Sequence, residues 1–489
     1  MAHHAPLRRA AHHLGQHRHQ RLTSHPSILS KMKKIHVIGG GLAGPEAALQ
    51  AATLGCDVVL SEMRPVRSTE AHQTSDFAEL VCSNSLKSES ENTAPWLLKQ
   101  EMRRAGSFLL QAADASAVPA GHALAVDRIE FSRRVADLIA SHPKIEVRRE
   151  EITQLNEHAT DTITILASGP LTSSLLAAEL QRLTGADQLA FYDSISPIVD
   201  ASTIDMDKVY FAARWDKGTA DYINCPFTKE EYEAFLDALT AAETVEAKSW
   251  EALPSDGTVV TAQQKMNYFE GCLPIEETAR RGRDTLRFGP MKPAGLTNPK
   301  TGRWPYAAVQ LRQENLRADS YNLVGFQNHL KFGEQARVLR MIPGLEHATF
   351  LRYGQIHRNT YIHAPSLLTE TLQLRAHPNI FIAGQLSGVE GYTESIASGL
   401  LAGRYAAALA KGTTPAPAPR ITANGSLTNY ITHADHKKFQ PANITFDLLP
   451  PLEDELRKKI RDKKERHRIQ CERGLTAWDQ WLAEGPTTT

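Results

Sequence analysis

The residues of this chain whose types and spacing can do chemistry are a set of glycines and two solitary cysteines. Gly39, Gly41 and Gly44 stand as G-x-G-x-x-G directly after the apolar run Ile35 to Ile38. In a dinucleotide site the first such glycine permits a tight turn, the second lets the backbone approach a pyrophosphate, and the third lets helix and strand pack closely. Gly39, Gly40, Gly41, Leu42, Ala43 and Gly44 are therefore candidate cofactor contacts. Glu62 ends the next apolar run, where a carboxylate accepts hydrogen bonds from ribose hydroxyls. Cys272, in FEGCLPIEETARRG, precedes a short helical pattern: Pro274, Glu276 and Glu277 at its start, Arg280 and Arg281 at its end, Gly282 as its cap. A thiol just before a helix N-terminus is favoured as thiolate. Cys82 lies in ELVCSNSLKS, inside a long polar excursion after Glu62. Cys56, Cys225 and Cys471 read as structural, since a cysteine taken alone is most often a small buried apolar residue. A flavin disulfide reductase needs two cysteines close in sequence beside its first cofactor helix, and this chain has none there. Distant single thiols suit nucleophilic and acid/base work.

These residues need elements to hold them. Apolar positions Ala47, Ala48, Ala51 and Leu54 recur at helical intervals, Pro45 fits a first helical turn, Gly55 ends the helix, and Val58 to Leu60 form a second strand. This βαβ unit has three readings: a dinucleotide site, a unit whose glycines serve packing alone, or an S-adenosylmethionine site. Residues 128–140 read as an amphipathic helix, Ile145 to Val147 as a short strand, and 161–170 as the returning strand of the same domain. From about Phe191 short strands and the helix TKEEYEAFLDAL follow without a second glycine fingerprint. Strand character resumes after residue 301, and PNIFIAGQ leads into LSGVEGYTESIASGLLAGRYAAALA. A strand, a glycine turn and a small-residue helix near the C-terminus form the second half of a two-part FAD fold, so Gly384, Gln385, Gly391 and Tyr392 join the cofactor contacts. The expected fold class is α/β, a Rossmann-like two-part FAD-binding domain (32–190 and 302–411) with an inserted α+β substrate domain (191–301). Residues 412–489 read as a Pro-rich linker and a helical tail containing ELRKKIRDKKERHR.

Composition bounds the function. The 489 residues carry 55 basic and 55 acidic side chains, so any nucleic-acid surface must be a local patch. Arg280, Arg281, Arg283 and Arg287 are the favoured patch, beside Cys272; Lys458, Lys459, Lys463 and Lys464 are a second. Five scattered cysteines without a C-x-x-C pair point to reduced thiols in a cytoplasmic protein, with no metal site. No apolar run has membrane-spanning length. Residues 1–31 hold seven histidines among arginines and read as a disordered extension.

The segments GGGLAGPEAA, EMRP, FAELVCSNSLKS, CPFTKEEYEAF, FEGCLPIEETARRG, RMIPGLEHATFLRYGQIHRNTYI, AGQLSGVEGYTESIASGLLAG and FQPANITFDLLPPL resemble the TrmFO family of folate- and FAD-dependent tRNA (uracil-5-)-methyltransferases. The resemblance runs from about Ile35 to Glu472; Pro45 and the histidine-rich leader depart from the family pattern. It implies that methylenetetrahydrofolate supplies a carbon that FAD accepts, presents to uracil C5 and reduces, with NADH or NADPH reloading the flavin. It implies that Cys272 and Cys82 are the working thiols, Cys272 attacking uracil C6 and Cys82 removing the C5 proton, with the reverse assignment open. It places Tyr353, His357, Arg358, Asn359 and Tyr361 beside Tyr392 in a folate pocket. The expected partner is the T-arm of tRNA, its uridine leaving the stack, with no stable protein partner. The alternatives are a wobble-uridine enzyme of the related GidA (MnmG) type, which carries a larger helical C-terminal domain, and the same methylation on ribosomal RNA.

Overall fold

The computed structural model describes residues 32–69, 71–186, 189–245 and 273–485, without the side chains of 189–194 and 356–358. Its first sheet is wholly parallel. Ile380–Ile382, Thr162–Leu166, Lys34–Ile38, Val58–Glu62 and Ile145–Arg149 lie side by side in that order. The helix Ala43–Thr53 crosses between the first two strands of the chain, as the glycine spacing requires. Parallel strands covered on both faces become almost wholly apolar, and Ile35, Val37, Leu60, Ile163 and Ile165 are fully buried. The long helix Tyr392–Ala410 packs on Ala43–Thr53, bringing the two ends of the cofactor region together.

A second core surrounds a six-stranded antiparallel sheet. Its order is Tyr210–Phe211, Ile223–Phe227, Ala307–Gln313, Ser320–Leu323, Ile198–Asp200 and Phe350–Arg352. The helix Lys229–Ala241 buries Tyr232, Phe235, Leu236 and Leu239 against it and starts on a capping box, Thr228 with Glu231. The inserted unit is therefore longer than the expected 191–301. Ala307–Gln313 pairs with Ile223–Phe227, and the chain returns to the first core only after Arg352. Ile356–Tyr361 then pairs with Leu189–Ser194 at the junction.

The C-terminal region is also not a linker with a tail. Ala418 is buried, Gly425 lies so close to the Pro419 carbonyl that no side chain fits, and Thr422 caps the helix Ala423–His433. The charged helix divides into Asp454–Lys459 and Lys463–Glu484, because the Asp462 carboxylate caps the second through the Lys464 N–H. That last helix buries Trp478 and Trp481 in the first core.

Candidate functional site

Where the glycine turn, the end of the second strand and the start of the Tyr392–Ala410 helix meet, they enclose a cleft of about 360 Å³. Gly39, Gly40, Gly41, Leu42, Ala43, Glu62, Gly384, Gln385, Gly391, Tyr392 and Cys82 all line it. Gly44 does not. It packs against the Gly39 carbonyl too closely for a side chain, which is the helix–strand approach expected of it. A side chain on Gly41, by contrast, would meet nothing within 4 Å. The helix that follows has no side-chain cap at Leu42, nor does the Tyr392–Ala410 helix at Gly391, so both N-termini turn uncapped amides and partial positive charge toward the cleft. Glu62 is buried and accepts from the Gly40 N–H at 2.6 Å and from the Arg64 backbone and guanidinium at 2.9 and 2.8 Å. Burial alone would raise its pKa; the Arg64 and Gly40 donors together hold it below the usual carboxylate value.

Cys82 is half-buried on the cleft wall. Its own N–H and that of Ser83 donate to the Tyr392 hydroxyl at 2.7 and 3.2 Å, tying the thiol-bearing loop to the start of the cofactor helix. Burial pushes the Tyr392 phenol pKa up, so it stays neutral as acceptor. The Cys82 carbonyl accepts from Arg128 at 3.4 Å. The remaining thiols behave as read: Cys56, Cys225 and Cys471 are buried, and burial raises all three, Cys471 to about 12.

Cys272 lies outside the described residues. The chain resumes at Leu273, and its attachment is specific. Ile275 N–H donates to the Gln327 carbonyl at 2.8 Å, and Gln327 lines the cleft. Glu276, fully buried in the first turn of Ile275–Arg280, accepts the His329 N–H at 2.8 Å and meets its ring nitrogen at 2.6 Å. On the other side of the undescribed segment, Val245 N–H donates to the His329 carbonyl at 2.8 Å. One turn thus holds both flanks of the segment bearing Cys272.

Of the five folate candidates, the three with described side chains do not converge. Asn359 is buried on the cleft wall, and its Oδ1 finds no partner among the described residues. Tyr353 instead stacks on Phe350 and meets Phe332 at a tilt, and Tyr361 is buried in the first core against Phe439. Asn359 and Tyr361 fall on the same side of the strand Ile356–Tyr361, and Tyr361, at its end, has passed from the cleft wall into the first core. The side chains of His357 and Arg358 lie outside the described residues.

The arginine patch is largely neutralised by its own neighbours. Arg280 pairs with Glu277, Arg283 with Glu233 and Asp237, and Arg287 with Asp284 while its guanidinium sits 3.7 Å over the Tyr306 ring.

Sequence reasoning missed one network on the cleft wall. Lys87, with φ of 66°, reaches Glu394 and Asn443 at 2.6 Å each. Beneath it the fully buried Lys99 ammonium is held by the carbonyls of Leu86, Lys87 and Ser88, which fixes the strand Ser85–Ser88. No local pattern announces the partners of Lys87, which lie 307 and 356 positions away.

The donor set fits a dinucleotide such as FAD: an open glycine cradle, two uncapped helix N-termini, a buried carboxylate at the strand end and a buried amide oxygen without a partner among the described residues. Among the described residues no cluster of histidine, cysteine and carboxylate side chains is placed to hold a metal ion, and no helix is long and apolar enough to cross a membrane.

The family model described as "Glucose inhibited division protein A" matches residues 34–414. The curated methylenetetrahydrofolate–tRNA-(uracil-5-)-methyltransferase TrmFO of Koribacter versatilis is 66% identical over 450 residues, 92% of this chain and 98% of that one. The same-named protein of Enterococcus faecalis is 53% identical over 443 residues, 91% of this chain and 97% of that one. Among solved structures, Aquifex aeolicus GidA in its form II crystal superposes with a TM-score of 0.62 at 15% identity, covering 93% of this chain and 76% of that one. At that identity the likeness speaks to fold alone.

Proposed function

We propose a reaction that proceeds from the family: the chain belongs to the glucose inhibited division protein A family, and its curated relatives are TrmFO methyltransferases. The reaction is methylation of uracil C5 in a T-loop uridine of tRNA, with methylenetetrahydrofolate as carbon donor, FAD as cofactor and NADH or NADPH as reductant. The observation that carries this reading is that Cys82 shares one cleft with the glycine turn and Glu62, its loop hydrogen-bonded to the first residue of the second cofactor helix.

When bound, FAD supplies carriage of one carbon and the two electrons that reduce it to methyl. The chain's residues do the rest. Gly39 to Ala43 and the helix behind them hold the pyrophosphate, Glu62 the ribose, and Gly384, Gln385, Gly391 and Tyr392 the other half of the cofactor. Uracil C5 is a poor nucleophile, so the Cys272 thiolate adds to C6, and the resulting enolate is nucleophilic at C5. C5 then bonds to the one-carbon unit, Cys82 takes the proton left on the now saturated C5, and loss of the Cys272–C6 bond restores the ring. The pinning of Ile275 and Glu276 to Gln327 and His329 supports a working position for Cys272 at the cleft. Asn359 is the residue of the folate set retained here, its amide available to a pterin edge.

Labelled methylenetetrahydrofolate, an unmodified tRNA transcript, NADPH and the flavin-loaded protein test the reading. Label is expected in 5-methyluridine without S-adenosylmethionine, falling at least about 100-fold in C82A and C272A. A T-loop RNA carrying 5-fluorouridine should trap a covalent adduct with wild type and not with C272A. An adduct of wild-type strength in C272A reverses the cysteine assignment, and label in ribosomal RNA alone replaces the substrate.

A further inference from the structure

Two tryptophans stand on the surface of the second unit. Trp215 is 56% exposed and Trp304 48%, their ring centroids 5.0 Å apart and nearly perpendicular. Their placement is built. Trp215 and Asp216 both have positive φ, 60° and 51°, a backbone conformation that is an outlier for a bulky side chain. Three contacts hold this turn: Trp215 N–H to the Gly295 carbonyl at 2.7 Å, and the Arg214 guanidinium to the Ala294 carbonyl and to Gln310, each at 2.9 Å. A methyl group on Gly295 would lie 2.8 Å from the Trp215 indole, so that ring rests on bare backbone. Trp304 follows directly on the tight turn closed by Asn298 and Arg303. Strained backbone spent on holding aromatic rings in water points to a ligand that covers them.

The surrounding charge says what kind. Lys217, Lys292, Lys300 and Arg303 flank the pair and are exposed, and none makes an ion pair among the described residues. Exposed carboxylates in the same stretches of chain include Asp205, which pairs with Lys208, Asp207, whose backbone carbonyl accepts from the Lys300 ammonium, and Asp216. This is the reverse of the Arg283 and Arg287 region, where acids occupy the guanidinium groups. The corner also connects to the cleft wall. Tyr222, closing the same loop, donates its hydroxyl to the Ala120 carbonyl at 3.2 Å and lies in the field of Arg312, and Arg312 donates to Ser83 at 3.3 Å, next to Cys82.

We propose that the Trp215–Trp304 corner is a nucleic-acid contact, in which the indoles stack on unpaired bases of the RNA substrate and Lys217, Lys292, Lys300 and Arg303 take its phosphates. Stacking on aromatic rings tolerates any base, and cations beside the rings give the electrostatic share of affinity. The inference rests on the RNA-methylation reading, and binding is measured apart from catalysis so that the two can fail separately.

The probe is an unmodified tRNA transcript in a filter-binding assay with the flavin-loaded protein. The double variant W215A/W304A should bind about 5- to 150-fold more weakly, with flavin content and circular dichroism as in wild type. W215F/W304F, which keeps the rings, should bind close to wild type. Changing the four cations to glutamine should lower the slope of log affinity against log salt by about 3. Wild-type affinity in the folded alanine variant, or an unchanged salt slope in the cation variant, overturns the proposal. A wild-type protein that binds tRNA in this tryptophan-dependent way but transfers no label supports the corner and refutes the reaction.

Discussion

Two buried carboxylates show how far single residues in this fold depart from their solution behaviour. Glu46, on the first cofactor helix, is fully buried, and burial pushes its pKa up to about 7 against hydrogen bonds from Leu109 and Gln50. Glu101 is raised to about 7 for the same reason, opposed by the N–H groups of Asn424 and Ala423, which it caps at the start of Ala423–His433. The sign follows from linkage. Both folded values lie above the ordinary 4.5, so the native chain holds protons that the unfolded chain releases between pH 4.5 and about 7. Their contribution is greatest below that window, falls as pH rises through it, and levels off above. At 1.36 kcal/mol per unit the loss is on the order of 3 kcal/mol for each carboxyl. E101Q mimics the protonated form, so its stability relative to wild type should improve by a few kcal/mol from pH 5 to pH 8. Urea unfolding at those two values measures this, and a pH-independent difference between the proteins would sink it.

Among the elements, the crossing of the two cofactor helices is set by glycine rather than by large apolar residues. Gly399 and Gly403 of Tyr392–Ala410 lie one turn apart over Ala43 and Ala47, so the backbones nearly touch. A methyl group on Gly403 would sit 2.5 Å from the Ala47 carbonyl oxygen, a neighbour that cannot rotate away. G403A should therefore cost about 1–3 kcal/mol and reduce the flavin retained on purification, because relief of the clash displaces the glycine turn. Full flavin content at an unchanged Tm would refute it. This crossing also marks what the sequence could disclose. The Gly39 to Gly44 turn, Glu62 at a strand end and the helix in TKEEYEAFLDAL are local patterns, and each was legible. Gly399 and Gly403 read only as a small-residue helix, since the partner that demands them is some 350 positions away. The pairing of Ala307–Gln313 with Ile223–Phe227 was hidden for the same reason. An alternating strand carries no label for its sheet. The prolines and small polar residues after Ala410 satisfy a linker pattern and a tight packing site equally well, and burial of Ala418, Ala423 and Gly425 decided between them.

At the scale of the whole molecule, Cys82 can work with a thiol borne on the second unit only if the two cores keep a fixed relation. A small polar joint sets it. Arg128, on the helix Arg128–Ser141, donates to Glu314 at 2.5 and 3.2 Å, just beyond the strand Ala307–Gln313. Asn84 donates to the carbonyls of Val126 and Gln313 at 3.1 and 2.9 Å, and Asn322 reaches both Asn84 and Glu314. The same Arg128 guanidinium holds the carbonyls of Leu80 and Cys82, so the joint and the thiol loop share one cation. E314A leaves that guanidinium unpaired in a buried setting, and breaking such a pair costs about 3–5 kcal/mol. The double variant R128M/E314L replaces the pair with apolar groups of similar size and should regain most of that stability. It also strips the Leu80 and Cys82 carbonyls of their donor. Labelled methyl transfer should therefore stay at least about tenfold below wild type in the double variant even as its unfolding midpoint recovers. Activity that returns together with stability would mean that the joint serves folding alone and leaves the placement of Cys82 to Tyr392.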